Sequence, residues 1–108
     1  MYKRQKFAEV VHLAQAYKVP VSECIGDKNS STITGCGGGV GIVPPDQGAR
    51  GVAASVTVST AGVITGTGNT EVDGRTFVLT PSYTPSTAIV DWAVSGTCLT
   101  QQPIMCKP

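Results

Sequence analysis

The chain has 108 residues, a formal charge of +1 and only 14% charged side chains. That length holds one domain with a modest core, and a balance so near neutral leaves no basic stripe for reading nucleic acid. Its aromatic residues (Tyr2, Phe7, Tyr17, Phe77, Tyr83, Trp92) are few beside 13 glycines and many Ser and Thr, a composition that suits short strands and turns and excludes a helical bundle or a disordered tail.

Residues 2–18 read as an amphipathic helix. Phe7, Val10, Val11, Ala14, Tyr17 and Val21 recur at three- and four-residue steps, while Lys6, Glu9, His12, Gln15 and Lys18 line the opposite face. Lys3, Arg4 and Lys6 read as a solvated helix start. Pro20 predicts an end or a kink, because it lacks an N–H and disfavours a helical Val19. A further turn follows through Val21–Ile25, with Gly26 as its stop. The helix begins without a capping residue, and neither a signal peptide nor an apolar run of spanning length is present. The natural chain is therefore expected to continue upstream of Tyr2 as an apolar helix of about 20 or more residues behind a short basic leader.

Residues 27–51 form a long connection rich in Gly, Ser and Thr, including the run Gly35–Gly41. From Val52 the period changes to two. Val52, Ala54, Val56 and Val58 are predicted inward on a first strand, and Ala61-Gly62 turns into a second at Val63–Thr67. Gly66 to Asn69 is expected to loosen the path. Asp73-Gly74 signals a hairpin into Arg75–Thr80, with Phe77 and Leu79 on one face. Pro81 and Pro85 should end that strand or place it at an edge. Ile89–Ser95 is a fourth strand with Val90, Trp92 and Val94 inward, and Gly96 opens the tail. A helix followed by four antiparallel strands is an α+β arrangement, with the helix on one sheet face. The single domain 1–108 divides into helix (1–26), loop (27–51), sheet (52–95) and tail (96–108).

Cys24, Cys36, Cys98 and Cys106 allow three disulfide connectivities. Local bridges, Cys24–Cys36 and Cys98–Cys106, need only short loop closures and are expected, each constraining the unfolded chain by roughly 3 kcal/mol. Bridges persist in oxidising compartments, which favours the periplasm or the cell exterior. Zinc is disfavoured, since neither pair has metal-ligand spacing and the single histidine lies far off. The first bridge is expected to pin a loop outside the sheet, so losing it should cost less than losing the second.

No catalytic constellation or cofactor motif emerges. The glycine run lacks the following Lys-Ser/Thr and the flanking strand and helix of a phosphate-binding loop. His12 has only Glu9 one turn away, and Asp46, Glu71, Asp73 and Asp91 form no calcium loop. No nucleophile elbow surrounds any serine. Asn29-Ser30-Ser31 matches a glycosylation acceptor pattern too short to carry weight.

The ordered segments resemble type IV pilins of Gram-negative bacteria. An amphipathic helix and long loop precede V-T-V-S-T-A-G-V-I-T-G-T, R-T-F-V-L-T-P and D-W-A-V-S-G-T-C…C-K-P, with Gly62–Thr65, Leu79–Pro81, Trp92 and Cys98/Cys106 carrying the match. Ala93–Thr97 separate Trp92 from the next cysteine, the closing loop Leu99–Met105 is short, and the Cys24–Cys36 pair and glycine run are not general family features. Major, minor and DNA-uptake pilins stay open as subtypes. The resemblance implies a non-enzymatic subunit of a surface fibre, serving adhesion, twitching motility or DNA uptake, without a cofactor. It implies as partners other pilin subunits, the pilus assembly machinery, the inner membrane through an apolar helix half, and host or abiotic surfaces. DNA is not an expected partner of this domain alone, although a minor pilin acting as a DNA-uptake or adhesive tip subunit is the alternative.

Overall fold

The computed structural model describes residues 2–29, 32–101, 104 and 106. Ser30 and Ser31 of the acceptor pattern lie outside the described residues, as do the side chains of Lys3 and Arg4. The N-terminal region is two helices, α1 (Tyr2–Gln15) and α2 (Lys18–Lys28). Their break falls at Ala16-Tyr17 and not at Pro20. Tyr17 N–H turns back to Ala14 O at 3.1 Å, and Val21 N–H then reaches Tyr17 O at 3.1 Å. Pro20 sits in the first turn of α2, where backbone N–H groups have no intrahelical acceptor, so its missing donor is harmless. Gly26 does not stop the helix either. Asn29 closes it with a left-handed backbone (φ 46°), donating its N–H to Ile25 O. Phe7, Val10, Ala14, Tyr17, Val21 and Ile25 form one continuous buried stripe, whereas Val11 is only half-buried.

That stripe covers one face of a four-stranded antiparallel sheet of order β1-β2-β3-β4, built from Ala53–Val58, Ile64–Gly68, Thr76–Thr84 and Ile89–Ser95. The fold is therefore α+β, with a helical layer on a sheet. In β1 the inward set is Ala53, Val56 and Val58, not Val52 and Ala54. A bulge between Ala53 and Ser55 inserts an extra residue and reverses the alternation upstream of it. Gly66 and Gly68 do not loosen the path but are buried strand positions facing the helix. A Cβ on Gly66 would stand 3.0 Å from Val10 Cγ1, so the missing side chain sets how closely α1 approaches.

The Asp73-Gly74 hairpin is longer than a two-residue turn. Asn69 accepts from Glu71 N–H and caps a 3₁₀ turn over Thr70–Val72 before the chain re-enters the sheet. β3 does not end at Pro81 but runs on to Thr84, just short of Pro85. Its register with β2 stops at Leu79, so Pro81 lies where only β4 remains beside the strand. Val90, Trp92 and Val94 do lie on the core side of β4, though only half-buried.

The long loop departs most from expectation, because it belongs to the core. Cys36 and Val43 are buried. Gly38 N–H donates to Val58 O at 3.1 Å, and Gln47 and Val56 exchange backbone bonds at 2.9 and 3.0 Å. Asp46 Oδ1 accepts from Val58 N–H at 2.9 Å, and Arg50 pairs with Ala53. The loop thus covers the outer edge of β1.

Candidate functional site

The four cysteines form two local bridges, one at the helical layer and one in the C-terminal tail. Cys24–Cys36 joins α2 to the long loop with 5.9 Å between Cα atoms, and Cys98–Cys106 closes the tail with 5.4 Å. Cys36 and Cys98 are buried at the base of their loops, while Cys24 is half-exposed.

The tail is fastened to the start of β3 by more than its bridge. A short helix, α3 (Thr97–Thr100), follows Gly96, whose φ of 115° and whose missing Cβ, 2.4 Å from Thr76 O if built, leave no room for another residue. Thr76 and Thr97 then bond reciprocally, Thr76 N–H to Thr97 Oγ1 at 2.8 Å and Thr97 N–H to Thr76 Oγ1 at 3.0 Å. Arg75 is buried beside them. It donates from Nη1 to Gln101 O at 2.8 Å and faces the Asp73 carboxylate from Nη2 at 4.0 Å. No sequence pattern marks this arginine, because its acceptor is a backbone carbonyl 26 residues away.

Polar tips of aromatic residues tie the layers together. Tyr17 OH donates to Pro45 O at 2.7 Å, Tyr83 OH to Asn29 Oδ1 at 2.7 Å, and Trp92 Nε1 to Ser22 Oγ at 3.2 Å. Glu9, expected only on a solvated face, accepts from Val52 N–H at 3.0 Å. His12 is exposed, Lys6 pairs with Glu71 at 3.6 Å, and Asp46 is engaged with β1. Among the described residues no three His, Cys, Asp or Glu side chains stand close enough to hold a metal ion. No helix there is long and apolar enough to cross a membrane.

Burial pushes the Tyr17 phenol above its ordinary pKa, and the Asp46 carboxylate raises it further. A raised folded-state pKa favours the protonated phenol in the native state. Its contribution is therefore intact below the unfolded value near 10 and is lost as pH rises through the folded value. Tyr17→Phe is expected to cost about 0.5–1.5 kcal/mol at neutral pH and to flatten the decline in stability above about pH 10. Urea melts of both proteins from pH 8 to 11 check it. A decline of equal steepness in the two would contradict the assignment.

Two shallow grooves flank α2. One, about 420 Å³, lies toward β4 between Val19 and Ser22 on the helix, Tyr83 and Val90 on the sheet, and Ala88 in the turn between β3 and β4. The other, about 400 Å³, lies toward the long loop between Asp27, Lys28, Val40 and Ile42. Both are open surface depressions, each lined by one acid and one base (Glu23 and Lys18, Asp27 and Lys28), and are suited to contact more than to chemistry.

The profile of the pilin family, described as a bacterial filament family, matches residues 4–107. No curated protein matches the chain. The family match spans almost every residue, and a helical layer over a four-stranded antiparallel sheet with a disulfide-closed tail is the pilin fold. The chain belongs to the pilin family of bacterial filament proteins.

Proposed function

We propose that this pilin is a structural subunit repeated along the shaft of an extracellular type IV pilus, and that the fibre serves adhesion or twitching motility. The observation that carries the reading is the family match over residues 4–107. Assembly with other pilin subunits follows from membership. The assembly machinery, and an apolar helical stretch N-terminal to α1 that holds the subunit in the inner membrane before polymerisation, belong to the proposal. So does contact with host or abiotic surfaces through the loop and the tail. Gold-labelled antibody against this domain should decorate surface fibres at intervals along their whole length. Label confined to tips would favour a minor, tip-borne binding subunit, and unlabelled fibres would reject the reading.

DNA capture by the isolated domain is not expected. Its formal charge is +1, and Lys6 and Arg75 are engaged with Glu71 and Asp73. Duplex DNA should bind no tighter than the non-specific range of about 10⁻⁴–10⁻⁶ M at physiological salt. Sub-micromolar binding with a steep salt slope in a fluorescence titration would overturn this and promote an uptake role.

A further inference from the structure

Val19, Val40, Ile42 and Ile89 are the large aliphatic side chains left 47–67% exposed among the described residues. They fall two and two on opposite flanks. Val40 and Ile42 project from the loop that covers β1, and they line the groove on that side of α2. Val19 lines the groove on the β4 side with Val90, and Ile89 starts the same strand on the opposite, outer face of the sheet. Since β1 and β4 are the two ends of the sheet, one apolar pair marks each lateral edge of the subunit.

The two edges carry different residues, and each sets one acid and one base beside its apolar side chains. Asp27 and Lys28 line the groove on the loop edge, and Lys18 and Glu23 line the groove on the β4 edge, so an acid of either edge can meet a base of the other. Ala88, in the β4-side groove, holds a left-handed backbone (φ 56°) that only glycine adopts freely. Unlike surfaces on opposite edges make a head-to-tail contact, which repeats from copy to copy.

We propose that Val40 and Ile42 of one subunit seat in the Val19–Tyr83–Val90 groove of a second copy. Lys18 then meets the neighbour's Asp27, and Glu23 the neighbour's Lys28. This rests on the filament reading above and names the surfaces by which its copies touch.

Carbodiimide treatment of intact wild-type fibres joins carboxylates to amines without a spacer. The expected product is a Lys18–Asp27 linked peptide. Within one α2 these residues are nine positions apart, about 13 Å of helix rise, so the link reports contact between copies. In parallel, Ile42→Asp and Val19→Asp should each lower sheared fibre yield at least tenfold. Ile42→Asp combined with Val19→Lys should restore most of it. Both sites are exposed, so thermal melts of the variant domains should match wild type. Fibres that contain the chain, give no such link and tolerate both aspartates would overturn the contact, and loss without rescue would overturn the pairing. Fibres that lack the chain altogether would reject the filament reading, and the contact with it.

Discussion

Cys24→Ser and Cys98→Ser are expected to destabilise the domain by comparable amounts, about 2–5 kcal/mol each. Their positions in the chain suggest otherwise, since Cys24–Cys36 closes a stretch with no secondary structure of its own. The fold removes that distinction. Cys36 is buried, its N–H donates to Thr60 O at 3.1 Å, and the residues after it bond along β1. Releasing Cys36 from α2 would therefore loosen a segment that contributes Val43 to the core. Cys98 is equally buried, but Thr76, Thr97 and Arg75 also hold its loop, which limits what its bridge alone protects. Denaturant melts of the oxidised single variants decide the point. A Cys24→Ser protein within about 1 kcal/mol of wild type would mean that the loop separates as its own unfolding unit.

Phe7→Ala should cost about 3–5 kcal/mol, the usual range for emptying a buried aromatic site. Phe7 is fully buried. A Cβ built on Gly68 would lie 3.4 Å from its ring and 2.2 Å from Val72 Cγ2. The ring therefore shares with Val72 the space that Gly68 leaves beneath the helix. Nothing at Gly66 or Gly68 has a side chain to collapse into the void, so little of the loss should be recovered by relaxation. Equilibrium unfolding in urea measures it. A loss below about 1 kcal/mol would place α1 outside the cooperative unit.

These two sites also show how far the sequence can be read. The three- and four-residue spacing from Phe7 to Val21 identifies the buried stripe, and Phe77 and Leu79 identify the inward face of the third strand, because solvent exclusion acts on every residue of such a pattern. The fold class follows from the order of those patterns. What stays hidden depends on distant partners. Ala54 counts as inward by strict alternation, yet one bulge residue puts Ala53 there instead. Gly66 and Gly68 look like a loosened path because a glycine's role is set by what approaches it, here Val10 and Phe7. Pro20 and Gly26 predict a helix break and a helix stop, but Tyr17 and Asn29 supply them through bonds that neither residue type announces. Arg75 and the Thr76–Thr97 pair become legible only once the tail is folded onto β3. The proximity of the cysteines in sequence favours the bridges found in the fold, whereas the depth at which Cys36 sits is invisible without the sheet.

The covering of β1 by the long loop has a consequence for a protein kept at very high local density. An open sheet edge offers unpaired N–H and C=O groups on which a neighbouring chain can grow, the route to cross-β fusion. Here Gly38, Gln47 and Arg50 already occupy that edge, and the Asp46 carboxylate takes the N–H of Val58. Copies crowded into a fibre consequently find no template for strand addition along β1. On that flank they meet one another through side chains and not through backbone pairing.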